Sequence, residues 1–476
     1  MQAPTNSTII GRTEHTCISR KEIGLIATIE DSNLSLEPKK IPEPFPATCL
    51  QLKKSDKQDS LLKLAKHAFH KLSQKQDARW TPTAIQLQSW SILNNNLNLI
   101  AIATTGSGKT LSYALPMVDS CMRRMEEEEK STRRVHGLVL VPTRELAIQV
   151  SKVLKVVSKS GNKLSGEKNI VALAIYGGVD KEEQIDSLIN RTPGIVSQFI
   201  LAATPMRLID LIGIGDERKT NEKIRALFET TKYLVIDEAD RMATQSDMSE
   251  QVEAILDFVR ANSTVLDRQC LFSATLPNRA ISKCNEWIDM PRVTVKFDTV
   301  TVGGDAGANI DITAQKSTTQ EGSMDHEKQE KSVAKGISDR RGPLDLSTIP
   351  AHIKQTLHVC ATHKKPKKLC HTIKKIRDGE QAEGNRRRKG LIIIYFARIK
   401  TLQLTHQLLL KEGMKCVPFH SKIMNQKQRE MNLNYFRCGK TPILLATDIA
   451  ARGLHFSNVE YIINYDFPGS LEQVSL

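Results

Sequence analysis

The chain has 476 residues, 40% hydrophobic and 25% charged, which excludes one small domain and leaves room for two or three with buried cores. Its formal net charge is +15, and residues 351–476 hold 22 lysines and arginines against 9 aspartates and glutamates, a field that suits phosphate-rich partners. The nine cysteines form no C-x-x-C pair and no zinc-ligand spacing, and neither a signal pattern nor a membrane-length apolar run is present. A reducing compartment follows, nuclear or cytoplasmic, with no membrane partner; the chain is expected to be a monomer, and no protein partner can be named.

Residues 1–55 are rich in Pro, Ser, Thr and Lys without sustained periodicity and are expected to be a mostly disordered arm. Over 56–298, short apolar runs at Leu99–Ala103, Gly137–Val141, Val171–Ile175, Tyr233–Ile236 and Cys270–Phe272 alternate with helix-like segments. Residues 299–347 are polar and Gly-rich, a linker longer than compact connections usually are. The alternation returns over 348–476 with Leu391–Phe396, Cys416–Phe419, Ile443–Ala446 and Tyr461–Tyr465. Uninterrupted apolar strands between helices predict an α/β fold: two lobes, each a parallel sheet covered on both faces. The acidic run Met125–Glu129 and the basic run Arg386–Lys389 read as exposed, solvated segments.

The first apolar run leads directly into Ala103-Thr104-Thr105-Gly106-Ser107-Gly108-Lys109-Thr110. Glycines let consecutive backbone N–H groups curl round phosphate oxygens, and the helix that follows adds its positive end. Thr105, Gly106, Ser107 and Gly108 therefore form the candidate nucleotide cradle, with Lys109 reaching the β/γ-phosphates and Thr110 offering its hydroxyl to magnesium. Such a loop needs an acid at the end of a neighbouring strand, and Tyr233–Ile236 runs into Asp237-Glu238-Ala239-Asp240. Asp237 is placed to hold magnesium, and Glu238 to polarise the water that attacks a γ-phosphate. Lys109, Asp237 and Glu238 are the candidate catalytic residues.

Three further segments follow apolar strands: Pro142-Thr143-Arg144, Gly177-Gly178 and Thr204-Pro205-Met206-Arg207. Ligands of parallel sheets bind at that side. Arg144 and Arg207 can pair phosphates, while Thr143, Thr204 and Gly178 supply hydroxyl and amide donors.

Asp237-Glu238-Ala239-Asp240 resembles the signature of the DEAD-box ATP-dependent RNA helicases, and the other motifs occur in that family's order. Pro82-Thr83-Ala84-Ile85-Gln86 resembles its Q motif, Ser273-Ala274-Thr275 its motif III, and Gln426–Arg429 its Q-x-x-R segment. Ala446-Thr447-Asp448-Ile449-Ala450-Ala451-Arg452-Gly453 is similar to motif V. The resemblance implies two tandem RecA-like domains, ATP and magnesium as ligands, and RNA held by its backbone irrespective of base sequence. It also implies that Gln86 reads adenine, and that Thr143, Arg144, Gly178, Thr204, Arg207, Arg429 and Thr447 contact RNA. Asp240, Ser273, Thr275, Asp448 and Arg452 would couple the ATP site to the RNA site. Phe45 and Phe69 are candidates for stacking on adenine.

This sequence departs from the family at several places, beginning with Ala78-Arg79 where Gly-Phe usually precedes the Q motif. Arg398 stands where motif IV usually has Thr, and His455 where motif V ends in a ribose-contacting Asp, which predicts weaker nucleotide binding. The written chain also ends at Leu476, before the motif that supplies the arginine finger, so slow hydrolysis and a truncated second domain are expected. An RNA-stimulated helicase is the expected function. The competing readings are an ATP-gated RNA clamp without efficient hydrolysis and a DNA-directed motor of the same superfamily.

Overall fold

The computed structural model describes residues 25–30, 60–72, 82–127, 133–166, 169–190, 197–215, 221–297, 356–382, 390–420, 424–447, 456 and 459–466. The expected linker 299–347, most of the expected arm 1–55, and Phe45, the Arg386–Lys389 run, Asp448, Arg452 and His455 lie outside them. The described residues fall into two compact units, one ending at Phe297 and the other beginning at Thr356.

The first unit contains β1 (Leu25–Glu30), α1 (Ser60–Leu72), α2 (Ala84–Asn94), β2 (Asn98–Ile102), α3 (Lys109–Glu127), β3 (Arg134–Leu140) and α4 (Arg144–Leu164). It continues with β4 (Asn169–Ile175), α5 (Lys181–Ile189), β5 (Ser197–Ala203), α6 (Pro205–Ile212), α7 (Glu222–Ala226) and β6 (Tyr233–Asp237). The last elements are α8 (Ala239–Thr244), α9 (Ser246–Asn262), β7 (Arg268–Ser273), α10 (Asn278–Trp287) and β8 (Arg292–Phe297). The sheet order is β1-β8-β2-β7-β6-β3-β5-β4, parallel throughout except for β1. Because β6 and β7 lie between β2 and β3, the acid-bearing strand sits two places from the strand that carries the glycine loop.

Alternate residues of each strand enter opposite faces, and each face has its own core. Leu99, Ala101, Val139, Val235 and Phe272 pack with α1–α4, whereas Ile100, Leu138, Leu140, Leu234 and Leu271 pack with α6–α10. Trp90, Tyr113 and Trp287 are among the largest fully buried side chains, and burying a side chain of about Phe size stabilises by roughly 1.5–3 kcal/mol. Helix starts follow local chemistry: Thr143 Oγ1 accepts from Leu146 N at 3.3 Å, and an Asp180 oxygen accepts from Glu182 N at 2.8 Å. Pro205 opens α6 and Gly213, at φ 74°, closes it.

Two details go beyond the sequence reading. Within the arm expected to be mostly disordered, Leu25–Glu30 forms β1, antiparallel to β8. Its apolar, β-branched residues find a partner far along the chain (Leu25 opposite Phe297, Glu30 opposite Arg292), which no local pattern reveals. The acidic run from Met125 does not leave the body of the domain at once: α3 extends to Glu127, and Met125 packs against the core.

The second unit contains a one-turn 3₁₀ segment (Thr362–Lys364), α11 (Lys365–Ala382), β9 (Leu391–Phe396), α12 (Ile399–Lys411), β10 (Cys416–Phe419), α13 (Gln426–Arg437), β11 (Ile443–Thr447) and β12 (Val459–Asn464). Its four parallel strands are ordered β10-β11-β9-β12. Among the described residues no helix is long and apolar enough to cross a membrane.

Candidate active site

Strand register brings the predicted segments of the first unit to one edge. Ile102 is level with Ser273, Phe272 with Asp237, Ile236 with Leu140, and Ala203 with both Leu140 and Ile175. The loops after β2, β3, β4, β5, β6 and β7 therefore emerge together at the carboxyl ends of the strands.

Within the glycine loop, Gly106 (φ 79°) and Gly108 (φ 95°) take left-handed conformations that a side chain disfavours. A Cβ on Gly108 would overlap Gln86 Nε2 and lie 3.2 Å from Thr83 Oγ1. Gln86 is buried. Its Nε2 donates to Gly108 O at 3.1 Å, and its Oε1 accepts from Thr83 N at 3.0 Å. The Lys109 ammonium donates to Ala103 O at 2.6 Å and Thr104 O at 3.2 Å, closing the loop on itself. Among the described residues the buried Ser107 hydroxyl has no hydrogen-bond partner.

Opposite the loop stand the acids. Tyr113 donates to Asp237 Oδ2 at 2.8 Å, and Asp237 Oδ1 accepts from Glu238 N at 3.0 Å. Burial pushes the Asp237 carboxyl up, against the pull of Lys109 and Tyr113. Burial and the neighbouring Asp237 push Glu238 up to about 7. Burial lowers the Lys109 ammonium, while Asp237, Glu238 and Asp240 raise it. Glu238 occupies the left-handed region at φ 55°, ψ 47°, a backbone strain that turns the chain from β6 into α8. Thr275 Oγ1 donates to Asp240 Oδ2 at 2.7 Å, Ser273 Oγ donates to Thr275 O at 2.6 Å, and Ala103 N donates to Ser273 O at 3.0 Å. One chain of bonds thus joins the glycine loop, β7 and the acidic turn.

These groups suit a magnesium–triphosphate. The loop holds backbone amides, the Lys109 ammonium and, among the described residues, the buried Ser107 hydroxyl without a partner, groups that phosphate oxygens accept from. Among the described residues no cluster of three or more His, Cys, Asp or Glu could cage a metal by itself, and magnesium characteristically takes one or two carboxylates plus phosphate oxygens.

Two family models match: DEAD/DEAH box helicase over residues 83–284 and helicase conserved C-terminal domain over 364–475. The chain belongs to the DEAD-box helicase family. It is 30% identical over 403 residues to the probable ATP-dependent RNA helicase ddx5 of Dictyostelium discoideum, covering 83% of this chain and 46% of that protein. It is 31% identical over 398 residues to DEAD-box ATP-dependent RNA helicase 20 of Arabidopsis thaliana, covering 82% and 61%. The chain thus spans about half the length of the curated relatives it matches. In fold it is similar to S. cerevisiae Dbp5 bound to RNA and ADP BeF3 (TM-score 0.55, 20% identity, 86% of this chain and 80% of that one). It is likewise similar to Mss116 bound to ssRNA and UDP-BeF (TM-score 0.60, 19% identity, 87% and 68%).

In this DEAD-box chain the predicted strand-contacting residues differ in what holds them. Thr143 and Thr204 precede α4 and α6, Gly178 takes φ 93°, and the Arg144 guanidinium lies along Gly177. Arg207 turns inward: its Nη1 and Nη2 donate to Val179 O at 3.1 Å, and Nη1 also donates to Gln184 Oε1 at 3.2 Å. Arg429 is buried, with its guanidinium over the Phe419 ring at 5.1 Å, and Thr447 ends β11. For Arg207 and Arg429 the structure therefore supplies a positioning part that the sequence does not announce. Phe69 lies on α1. Sequence reasoning missed Tyr113. The available signal was its place four residues after Lys109, on the same helical face.

Gly108→Ala is expected to destabilise the first unit by about 1–3 kcal/mol, because φ 95° and the Gln86 amide both oppose a methyl group. Denaturant unfolding checks this; an unchanged midpoint would remove the argument for a tightly locked loop.

Proposed function

We propose that the chain is an ATP-dependent RNA helicase that remodels RNA locally, gripping one strand by its backbone. The observation that carries the reading is the buried Asp237 and half-buried Glu238 beside the glycine loop and its half-buried Lys109 at the strand ends. The amides around Gly106 and Gly108 bind phosphate oxygens, and Lys109 moves from its loop carbonyls to the β/γ-phosphates. Thr110 and Asp237 would hold magnesium, which when bound neutralises phosphate charge. Glu238 accepts the proton of the attacking water; an acid near neutrality is suited to that work. Asp240, Thr275 and Ser273 transmit the state of the acidic turn to β7 and the neighbouring loops. Thr143, Arg144, Gly178 and Thr204 in the first unit, and Thr447 in the second, hold RNA. Joint binding of ATP and RNA favours closure of the two units, a coupling free energy between two sites.

The test is ATP turnover with and without single-stranded RNA, together with displacement of a short RNA duplex. Stimulation by RNA and not by the matched DNA strand is the expected result, because an RNA reader senses the 2′-hydroxyl. Equal stimulation by DNA would overturn the RNA assignment, and no stimulation by either would overturn the motor.

A further inference from the structure

The function above uses none of the charge on α11. The first eleven residues of this helix, Lys365–Lys375, include no acid, and Leu369, Cys370 and Ile373 bury its inner side. Lys364, Lys367, His371, Lys374 and Lys375 are exposed. Lys365 and Lys374 are paired, with Asp466 and Glu412, each at 2.9 Å. Among the described residues Lys364, Lys367, Lys368 and Lys375 have no acidic partner within ion-pair distance. The positive field is felt nearby: burial, then Lys368 and Lys375, hold the His358 imidazole below its ordinary value.

The position of the helix gives this charge a direction. Asp466, just past β12, accepts from Lys365 Nζ and also from Ala397 N, just past β9, at 3.2 Å. At the other end, Arg377 Nη1 donates to Gly390 O at 2.8 Å, just before β9. So α11 starts at the strand-end edge of the second unit, where Thr447 lies, and descends along the flank. From Lys364 to Lys375 the rise is about 16 Å, the length of roughly five phosphates of a helical strand. Lysine ammoniums one turn apart act as mobile point charges suited to a backbone rather than to one fixed carboxylate.

We propose that the lysine face of α11 is a second RNA-backbone contact that carries the strand beyond the strand-end site along the second unit, an inference that rests on the RNA-directed function above. The test compares the parent chain with a fourfold variant, Lys364→Ala, Lys367→Ala, Lys368→Ala and Lys375→Ala, and with the same four positions changed to Arg. The probes are a short oligouridylate that fills only the strand-end site and a long one that overhangs it, each titrated across a salt series. The alanine variant is expected to lose about tenfold or more in affinity for the long strand at low salt, with its log K against log salt slope shallower by about 3. The arginine variant is expected to keep both, and the short strand is expected to bind all three chains alike and to stimulate ATP turnover equally. Unchanged long-strand affinity and slope in the alanine variant overturn the second contact and leave the helicase reading standing. Failure of the parent to bind either strand overturns both. Competition by polyglutamate as effective as that by long oligouridylate, lost in the alanine variant, would reassign the face to an acidic protein.

Discussion

Replacing Lys109 with alanine is expected to lower ATP turnover about 10²–10³-fold, the usual cost of removing one preorganised charge from a phosphoryl-transfer site. The loss should appear in triphosphate affinity as well as in rate. Lys109 is the ammonium at the glycine loop, already desolvated and already facing Asp237, Glu238 and Asp240. Its removal has a second consequence of the same sign. Asp237 and Glu238 lose an attractive charge, so their carboxyls rise further above ordinary values and are less ionised near neutrality. Equilibrium binding of a fluorescent ATP analogue and steady-state turnover measure the two parts. Unaltered triphosphate affinity would remove the basis of the nucleotide site.

Glu238→Gln is expected to reduce kcat about 10²–10⁴-fold while triphosphate affinity changes little, because an acceptor of the water proton is lost and the cradle is not. Its pH behaviour separates this role from a structural one. The free protein's Glu238 titrates near 7, so kcat/KM of the parent should climb about tenfold per pH unit below that value and flatten above it. In the variant that limb should vanish. Stability moves in the opposite sense. Between the ordinary carboxylate value and about 7 the folded chain holds a proton that the unfolded chain has released, so stability falls as pH rises through that window. Glu238→Gln, which has no charge to desolvate, should therefore melt higher than the parent at pH 8 and nearly level with it at pH 4. A variant that retains the acidic limb of kcat/KM would show that another group accepts the proton.

Much of this protein can be read along the chain. Strands buried on both faces appear as unbroken apolar runs, so β9 and β10 have the bounds expected for them and β2 lies within one residue of its expected run. The glycine loop was legible for a related reason. Its backbone conformation is encoded by residues whose chemistry acts on the spot, glycines at φ 79° and 95° followed by a lysine that starts a helix. Asp237 and Glu238 were legible because they end such a strand.

Partners distant in sequence were not legible. That β6 lies two places from β2, with β7 between them, and so brings Asp237 to the loop is a matter of strand order, settled by which faces bury most surface together. Tyr113 looks like an ordinary helix residue until folding sets it against Asp237, and the bonds of Gln86 to Gly108 and of Arg207 to Val179 likewise exist only in the fold. The shift of Glu238 to about 7 likewise comes from desolvation by the surrounding fold and from the Asp237 charge beside it, and the first of these causes exists only once the core has closed. Motifs are local chemistry, which neighbouring residues can write; burial, register and shifted acidity arise from contacts between segments far apart in the chain.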